Sequence, residues 1–363
     1  MLCSEARGSV MKIRVAILDK DENYKSRLLY NFQIMYADKI ELYSFSNFEQ
    51  LINALENIHV DIILIDEYTE HAKEDIENSK AVVYLCRTAG IEAMNDCPAI
   101  CKFQKLETIY RQLLSVYADI EISANVKVRK NSSKIVLFMS AQGGSGTSVA
   151  AAAYALKRAK EGKKVFYLNI EAFGGANLYF AGTGNMSFTD AIVALKSKKT
   201  NLVLKLESII KSDQSGVDFI DISKNTYDMH ELQDEEIARL LLGLSQVRAY
   251  EEIIVDVSGG FNERVYILMK EHAEKVVCVN DGSKTGNLKF ERFCELLKVL
   301  EDRDKRVSSF SKMTLLYNRY SSKTSEQLEK TPVPVLGGIH RYEGVSGRDL
   351  IEQVANVQIL EKI

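Results

Sequence analysis

The segment Ile135-Val136-Leu137-Phe138-Met139-Ser140-Ala141-Gln142-Gly143-Gly144-Ser145-Gly146-Thr147-Ser148 runs directly into an alanine-rich stretch from Val149. An apolar strand, a loop with three glycines and a helix opening on Thr147-Ser148 turn backbone N–H groups and the positive end of a helix toward a phosphate. Glycine is required because side chains would block that approach, and Ser148 stands where a hydroxyl would ligand Mg²⁺. The strict pattern G-x-x-x-x-G-K-[ST] is broken twice, by Ala141 and by Thr147. Two carboxylates follow at the ends of later strands, Glu171 in Leu168-Asn169-Ile170-Glu171 and Asp256 in Ile253-Ile254-Val255-Asp256. Strand C-terminal ends are where α/β proteins bind ligands. A carboxylate buried alone is costly, so Asp256 is expected to serve a metal's water shell or to sense a phosphate. Leu315-Leu316-Tyr317-Asn318-Arg319 ends a further strand on an amide whose donor and acceptor suit an adenine edge.

The elements that must position these residues are short apolar runs alternating with helical periodicity, which indicates parallel sheets covered on both faces. In the front part the expected strands are Val15 to Leu18, Asp61 to Ile65, Ala81 to Leu85 and Ala99 to Cys101. From Lys134 they are Ile135 to Met139, Val165 to Leu168, Val217 to Ile222, Ile253 to Val257, Val276 to Val279, Met313 to Tyr317 and Val333 to Leu336. Between them Glu121 to Ser133 carries Lys127, Arg129, Lys130 and Asn131-Ser132-Ser133 with little apolar periodicity, as a linker does. The organisation expected is a tail at 1–10, a first domain at 11–120, a linker at 121–133 and a second domain at 134–363. Met11 is a possible second start.

The chain has 363 residues, 47 Lys+Arg against 50 Asp+Glu, and a net charge of -3, so no overall basic field draws it to nucleic acid or acidic lipid. With 46% hydrophobic and 27% charged residues and three prolines (Pro98, Pro332, Pro334), it is neither collagenous nor broadly disordered. The six cysteines (Cys3, Cys86, Cys97, Cys101, Cys278, Cys294) sit mostly in apolar runs and read as thiols of a reducing compartment. The start of the chain has no apolar signal region, which favours a cytoplasmic location. The five histidines are dispersed and form no metal pair. The tail Arg348 to Ile363 has apolar periodicity with more acids than bases, so it is expected to pack on its own domain. Tyr and Phe are read as packing residues.

The order of segments from Lys134 to Ile363 resembles the deviant-Walker ATPases of the MinD/ParA class, a doubly wound P-loop NTPase fold that binds ATP and Mg²⁺ as a dimer. In that family the loop reads K-G-G-x-G-K-[ST]. By position Gln142 replaces the signature lysine, Thr147 replaces the second lysine, and Ser148 is kept. The resemblance implies nucleotide contacts from Gln142, Gly143, Gly144, Ser145, Gly146, Thr147, Ser148, Asn318, Arg319, His340 and Arg341. It implies Mg²⁺ at Ser148 and Asp256, and catalytic roles for Glu171 and Asp256. Each missing lysine removes a charge-assisted contact of about 1.5–3 kcal/mol. Cationic stabilisation of phosphoryl transfer is worth more than that, so ATP binding with slow or absent hydrolysis is expected.

The front part resembles a response-regulator receiver, a flavodoxin-like doubly wound domain. Asp19-Lys20-Asp21 follows the first strand, Asp66 takes the phosphoacceptor position and Lys102 that of the receiver lysine. Lys20 stands in place of a metal-binding acid, and its ammonium is expected among Asp19, Asp21 and Asp66, pairing with them. Phe103 replaces the usual proline and Cys86 the switch hydroxyl residue. An atypical receiver followed by an atypical MinD/ParA-type domain resembles the TadZ/CpaE family. That resemblance implies a localisation factor for Tad (Flp) pili, homodimeric, that recruits the secretion ATPase and membrane components at the cell pole. The alternatives are a ParA-like or MinD-like positioning ATPase and a phosphorylatable regulator with an ATPase output.

Overall fold

In the computed structural model, which describes residues 12–69, 79–95, 97–120, 133–197, 201–257, 259–303, 309–321 and 323–363, the chain groups into two units. The expected tail, Met11 and the expected linker up to residue 132 lie outside the described residues. The first unit falls within Met1–Asn125 together with Lys199–Ser208, and the second takes Val126–Lys198 and Ile209–Ile363.

The first unit runs β1 (Ile13–Leu18), α1 (Glu22–Met35), β2 (Ile40–Phe45), α2 (Phe48–Leu55), β3 (Val60–Asp66), β4 (Ser79–Cys86), β5 (Ala93–Met94), β6 (Cys97–Cys101) and α3 (Leu106–Ile120). The sheet order is β2-β1-β3-β4-β6-β5, parallel except for the antiparallel β5–β6 pair. Every residue of β3 is buried, as a strand covered on both faces requires. Strand β2 was not foreseen. It lies at the sheet edge with an alternating, partly exposed pattern, and so lacks the continuous apolar run of its neighbours. The segment 201–208 adds its own contacts to this unit: Asn201 N–H donates to Ala118 O at 3.2 Å, Lys205 Nζ to Ser115 Oγ at 2.6 Å, and Glu207 pairs with Lys39.

The second unit contains β7 (Lys134–Met139), α4 (Thr147–Lys160), β8 (Val165–Asn169), α5 (Phe188–Lys196), β9 (Lys211–Ser212), β10 (Val217–Phe219), α6 (Thr226–Glu231), α7 (Asp234–Val247), β11 (Glu252–Asp256), α8 (Glu263–Ile267), β12 (Lys275–Asn280), α9 (Lys284–Arg303), β13 (Met313–Tyr320), β14 (Val335–His340) and α10 (Gly347–Ala355). Its sheet order is β14-β13-β12-β7-β11-β8-β10-β9, parallel apart from the short β9–β10 pair. The chain winds from β7 toward β8 in one direction and later to β12, β13 and β14 in the other. This makes the C-terminal end of β7 a topological switch point, where ligands bind. Helix α4 buries Ala150, Ala151, Ala152, Ala153 and Ala155, small side chains that let it lie close behind the loop it follows. The C-terminal α10 buries Ile351, Val354 and Ala355 in the same core as α4, so the tail packs on its own domain.

Most strand ends differ from the sequence reading by a residue or two; β10, β13 and β14 differ by more, β13 running on to Tyr320. β10 stops at Phe219 instead of Ile222, and β14 spans Val335–His340 instead of Val333–Leu336. Pro334 has no N–H to give to a ladder; it contributes its carbonyl, accepting from Leu315 N–H at 2.9 Å, and the strand begins after it.

Candidate nucleotide site and receiver pocket

The loop after β7 is shaped by its glycines. Gly144 and Gly146 have φ of 79° and 80°, a region costly for residues with a Cβ. A Cβ on Gly146 would lie 2.4 Å from Asn318 Nδ2. Gly143 and Gly144 face open space, leaving the backbone there accessible to a ligand. Helix α4 starts at Gly146 without a side-chain cap, so its first N–H groups are free for an anion. Inside the loop Ser145 Oγ and Thr147 Oγ1 are 3.0 Å apart, and Gln142 N–H donates to Ser140 Oγ at 3.2 Å. Gly260 N–H donates to Ser140 O at 2.8 Å. The loop after β11 passes so near that a Cβ on Gly259 would meet Gln142 O at 2.6 Å.

Asn318 and Arg319 clamp this loop from β13. Asn318 Nδ2 donates to Ser145 O at 3.0 Å and Gly146 O at 3.1 Å, and Arg319 Nη1 donates to Gly144 O at 2.8 Å. Arg319 adopts φ 56° to do so. The expectation that the Asn318 donor is free for an adenine edge is therefore corrected, since that N–H₂ braces the loop. Gln142 is also placed differently from a residue reaching outward. Its side chain is 8% exposed and Nε2 has no hydrogen-bond partner. It turns toward Asp281, Asn280 and Gly286, where a Cβ on Gly286 would meet Nε2 at 2.7 Å. Burial pushes the Asp281 carboxyl up, but hydrogen bonding from Ser283, with the Gln142 amide close by, outweighs it and holds the group low.

Asp256 ends β11 with no exposure, and it is not the lone carboxylate the sequence suggested. Tyr167 Oη donates to its Oδ2 at 2.7 Å and Asn169 Nδ2 to the same atom at 2.8 Å, while Oδ1 has no partner. The ladder explains the pairing: Asp256 lies opposite Asn169 and Ile254 opposite Tyr167, and residues two apart share a sheet face. Burial, and then the nearby Glu171 charge, push the Asp256 carboxyl up to about 7 against the hydrogen bonds from Tyr167 and Asn169 and the influence of the nearby Ser148 hydroxyl. Burial also raises Glu171, against hydrogen bonding with Asn169 and Ser148. Ser148 thus stands between the two carboxylates, and the loop, Ser148, Glu171 and Asp256 converge. His340 and Arg341 do not join them through any hydrogen bond among the described residues. His340 ends β14 opposite Tyr320 with its ring 4.1 Å from Tyr342, and Arg341 is exposed.

In the first unit, the ends of β1, β3 and β6 bring Asp19, Asp66 and Lys102 together, each at most 5% exposed. Lys102 Nζ lies 2.6 Å from Asp19 Oδ2 and pairs with Asp66 Oδ1. Burial disfavours the ammonium, yet both carboxylates together raise Lys102 above its ordinary value. The expected role of Lys20 is corrected: it is exposed, and Lys102 neutralises the acids. Asp21 turns away to cap α1, accepting from Tyr24 N–H at 3.0 Å, while its own N–H donates to Asp19 Oδ1 at 2.9 Å. Tyr24 covers the pocket, with Lys102 Nζ 5.5 Å from its ring centroid and Phe103 edge-on at 6.2 Å. Phe103, Tyr68 and, in the second unit, Phe173 are exposed, against the expectation that aromatics serve packing alone.

Residues 11–118 match the family model described as TadZ-like, receiver domain. The first domain is a TadZ-like receiver domain. A ParA family ATPase from Chlorobium tepidum TLS matches with a TM-score of 0.50 at 19% identity, covering 64% of this chain and 96% of that one. The cell division ATPase MinD of Pyrococcus furiosus matches with a TM-score of 0.41 at 13% identity, over 64% of this chain and 99% of that one. A plasmid partition protein from Borrelia burgdorferi gives 0.40 at 16% identity, over 64% and 97%. No curated protein matches the sequence. The second unit has the ParA-type P-loop fold, and its pairing with a TadZ-like receiver fits the TadZ/CpaE family. Among the described residues no helix is long and apolar enough to cross a membrane.

Tyr167 and the loop-bracing use of Asn318 and Arg319 escaped the sequence reading. Tyr167 had a usable signal, a hydroxyl two residues before Asn169 on the strand paired with that of Asp256. The bracing had none, because it depends on which way β13 presents its last residues.

Proposed function

We propose that the second domain binds ATP with Mg²⁺ at residues 142–148 and turns it over slowly or not at all, and that the nucleotide state controls a positioning factor for Tad pilus assembly. The observation that carries the nucleotide reading is the unpartnered Oδ1 of the fully buried Asp256, beside an uncapped helix start and an open glycine loop. A buried acceptor left without a donor is costly, and a hydrated cation relieves that cost. Ser148 and Asp256 would hold the Mg²⁺, which when bound supplies charge neutralisation of the phosphates. The loop N–H groups orient the phosphates, and Asn318 and Arg319 keep the loop in shape. His340 and Arg341 border the base. Glu171 orients water.

Weak turnover follows from chemistry at positions 142 and 147. Gln142 is neutral and buried against its own Asp281, and Thr147 spends its hydroxyl on Ser145. Neither supplies the cation that phosphoryl transfer uses. The pilus role is supported by the TadZ-like match of the receiver, where Lys20 in place of a metal-binding acid favours docking over phosphotransfer. The partners proposed are a second copy of this chain, the Tad secretion ATPase and membrane components at the pole, reached from the cytoplasm. Equilibrium ATP binding, steady-state ATPase assay and imaging of pole localisation in cells with and without the pilus genes test these steps in turn. ATPase activity equal to that of lysine-bearing relatives would refute the slow-turnover part.

A further inference from the structure

We propose that Tyr167 is a positioning residue for the metal: its hydroxyl holds Asp256 Oδ2 so that Oδ1 is presented to Mg²⁺ or its water. The inference rests on the nucleotide-binding reading. A carboxylate has two equivalent oxygens, and rotation about its last torsion is soft. In Asp256 the symmetry is broken, because Tyr167 and Asn169 both donate to Oδ2 and nothing donates to Oδ1.

The two donors differ in how firmly they are held. Asn169 is partly exposed at the strand end, and its Oδ1 also accepts from Glu171 N–H at 3.3 Å. Its amide can exchange partners with water. Tyr167 has no exposure, and its ring is fixed edge-on by Tyr179 at 6.4 Å and by Phe180 at 5.3 Å. Its hydroxyl therefore has one direction and one acceptor. Second-layer hydrogen bonds of this kind orient metal ligands, and their removal typically costs about 10–100-fold in metal affinity.

The test is Tyr167→Phe in the full chain, which keeps the ring and deletes the hydroxyl. A fluorescent ATP analogue is titrated in excess EDTA and in excess Mg²⁺, and Mn²⁺ binding to the nucleotide complex is followed by electron paramagnetic resonance. The expected result is unchanged metal-free nucleotide affinity with Mn²⁺ affinity lowered about tenfold or more. Unchanged Mn²⁺ affinity in the variant overturns the inference and leaves the nucleotide reading standing. Equal loss of metal-free and metal-linked binding also overturns it, because that marks a general packing role. Absence of any nucleotide binding by the wild-type chain overturns the reading beneath it. A second comparison, Asp256→Ala against Asp256→Ala with Tyr167→Phe, removes the oxygens that Tyr167 holds and leaves no buried charge to destabilise folding. If Tyr167 acts through Asp256, the two show the same Mn²⁺ affinity; a further drop in the double variant contradicts the proposal.

Discussion

Asp256→Asn should stabilise the nucleotide-free second domain at alkaline pH and leave it nearly unchanged in acid. The wild-type carboxyl sits at about 7 in the fold, against 3.8 for an ordinary aspartate. The folded protein therefore holds this proton more tightly than the unfolded chain does. For an acid raised in this way, stability is fully present below about pH 4 and falls as pH rises, levelling off above about 7. The full difference corresponds to about 4 kcal/mol, of which somewhat more than half is lost between pH 5 and pH 8. Glu171 is raised too and repels Asp256, so the slope belongs to the pair and Glu171→Gln should remove part of it. Asparagine keeps an oxygen to accept from Tyr167 and Asn169 while removing the buried charge. The assay is urea unfolding in EDTA across this pH range, followed by circular dichroism. Parallel pH profiles for wild type and Asp256→Asn would refute the argument, since they would mean that Asp256 ionises in the fold as it does in water.

Further outcomes follow from the two sites. Gly146→Ala must accommodate φ 80° and a Cβ 2.4 Å from Asn318 Nδ2; it should abolish ATP-analogue binding while the receiver domain's unfolding is unchanged, and retained affinity would contradict the clamp. Lys102→Met leaves Asp19 and Asp66 buried without their cation and should destabilise the receiver by about 3–5 kcal/mol in urea titration, with Asp66→Asn in the same chain recovering part of the loss. Acetyl phosphate with Mg²⁺ should leave Asp66 unlabelled in mass spectrometry, because Asp21 is engaged in capping α1 and Asp19 in pairing Lys102.

Much of the fold was legible because buried parallel strands are continuous apolar runs. β3 and β11 are buried throughout and carry no polar alternation to blur them. β2, at an edge, lacked that signal, and β9 is too short to show one. In the site, the glycine loop and Asp256 announced themselves by type and by their place after strands. Side-chain direction did not. Lys20 is adjacent in sequence to Asp19 yet exposed, whereas Lys102 arrives from the end of β6, 83 positions on from Asp19, to fill the role. Gln142 likewise occupies the signature-lysine position but folds back within its own domain, because Gly286 leaves room beside Asp281.

Under the proposed function, a P-loop with neither lysine still holds ATP·Mg²⁺ through backbone N–H groups, Ser148 and Asp256. Isothermal titration of the purified full chain with ATP, in Mg²⁺ and again in EDTA, measures this directly. Saturable binding of one ATP per chain is expected, tighter with Mg²⁺ and weakened by Asp256→Asn. No saturable heat in Mg²⁺ at millimolar ATP, from a folded chain freed of any co-purified nucleotide, would contradict it.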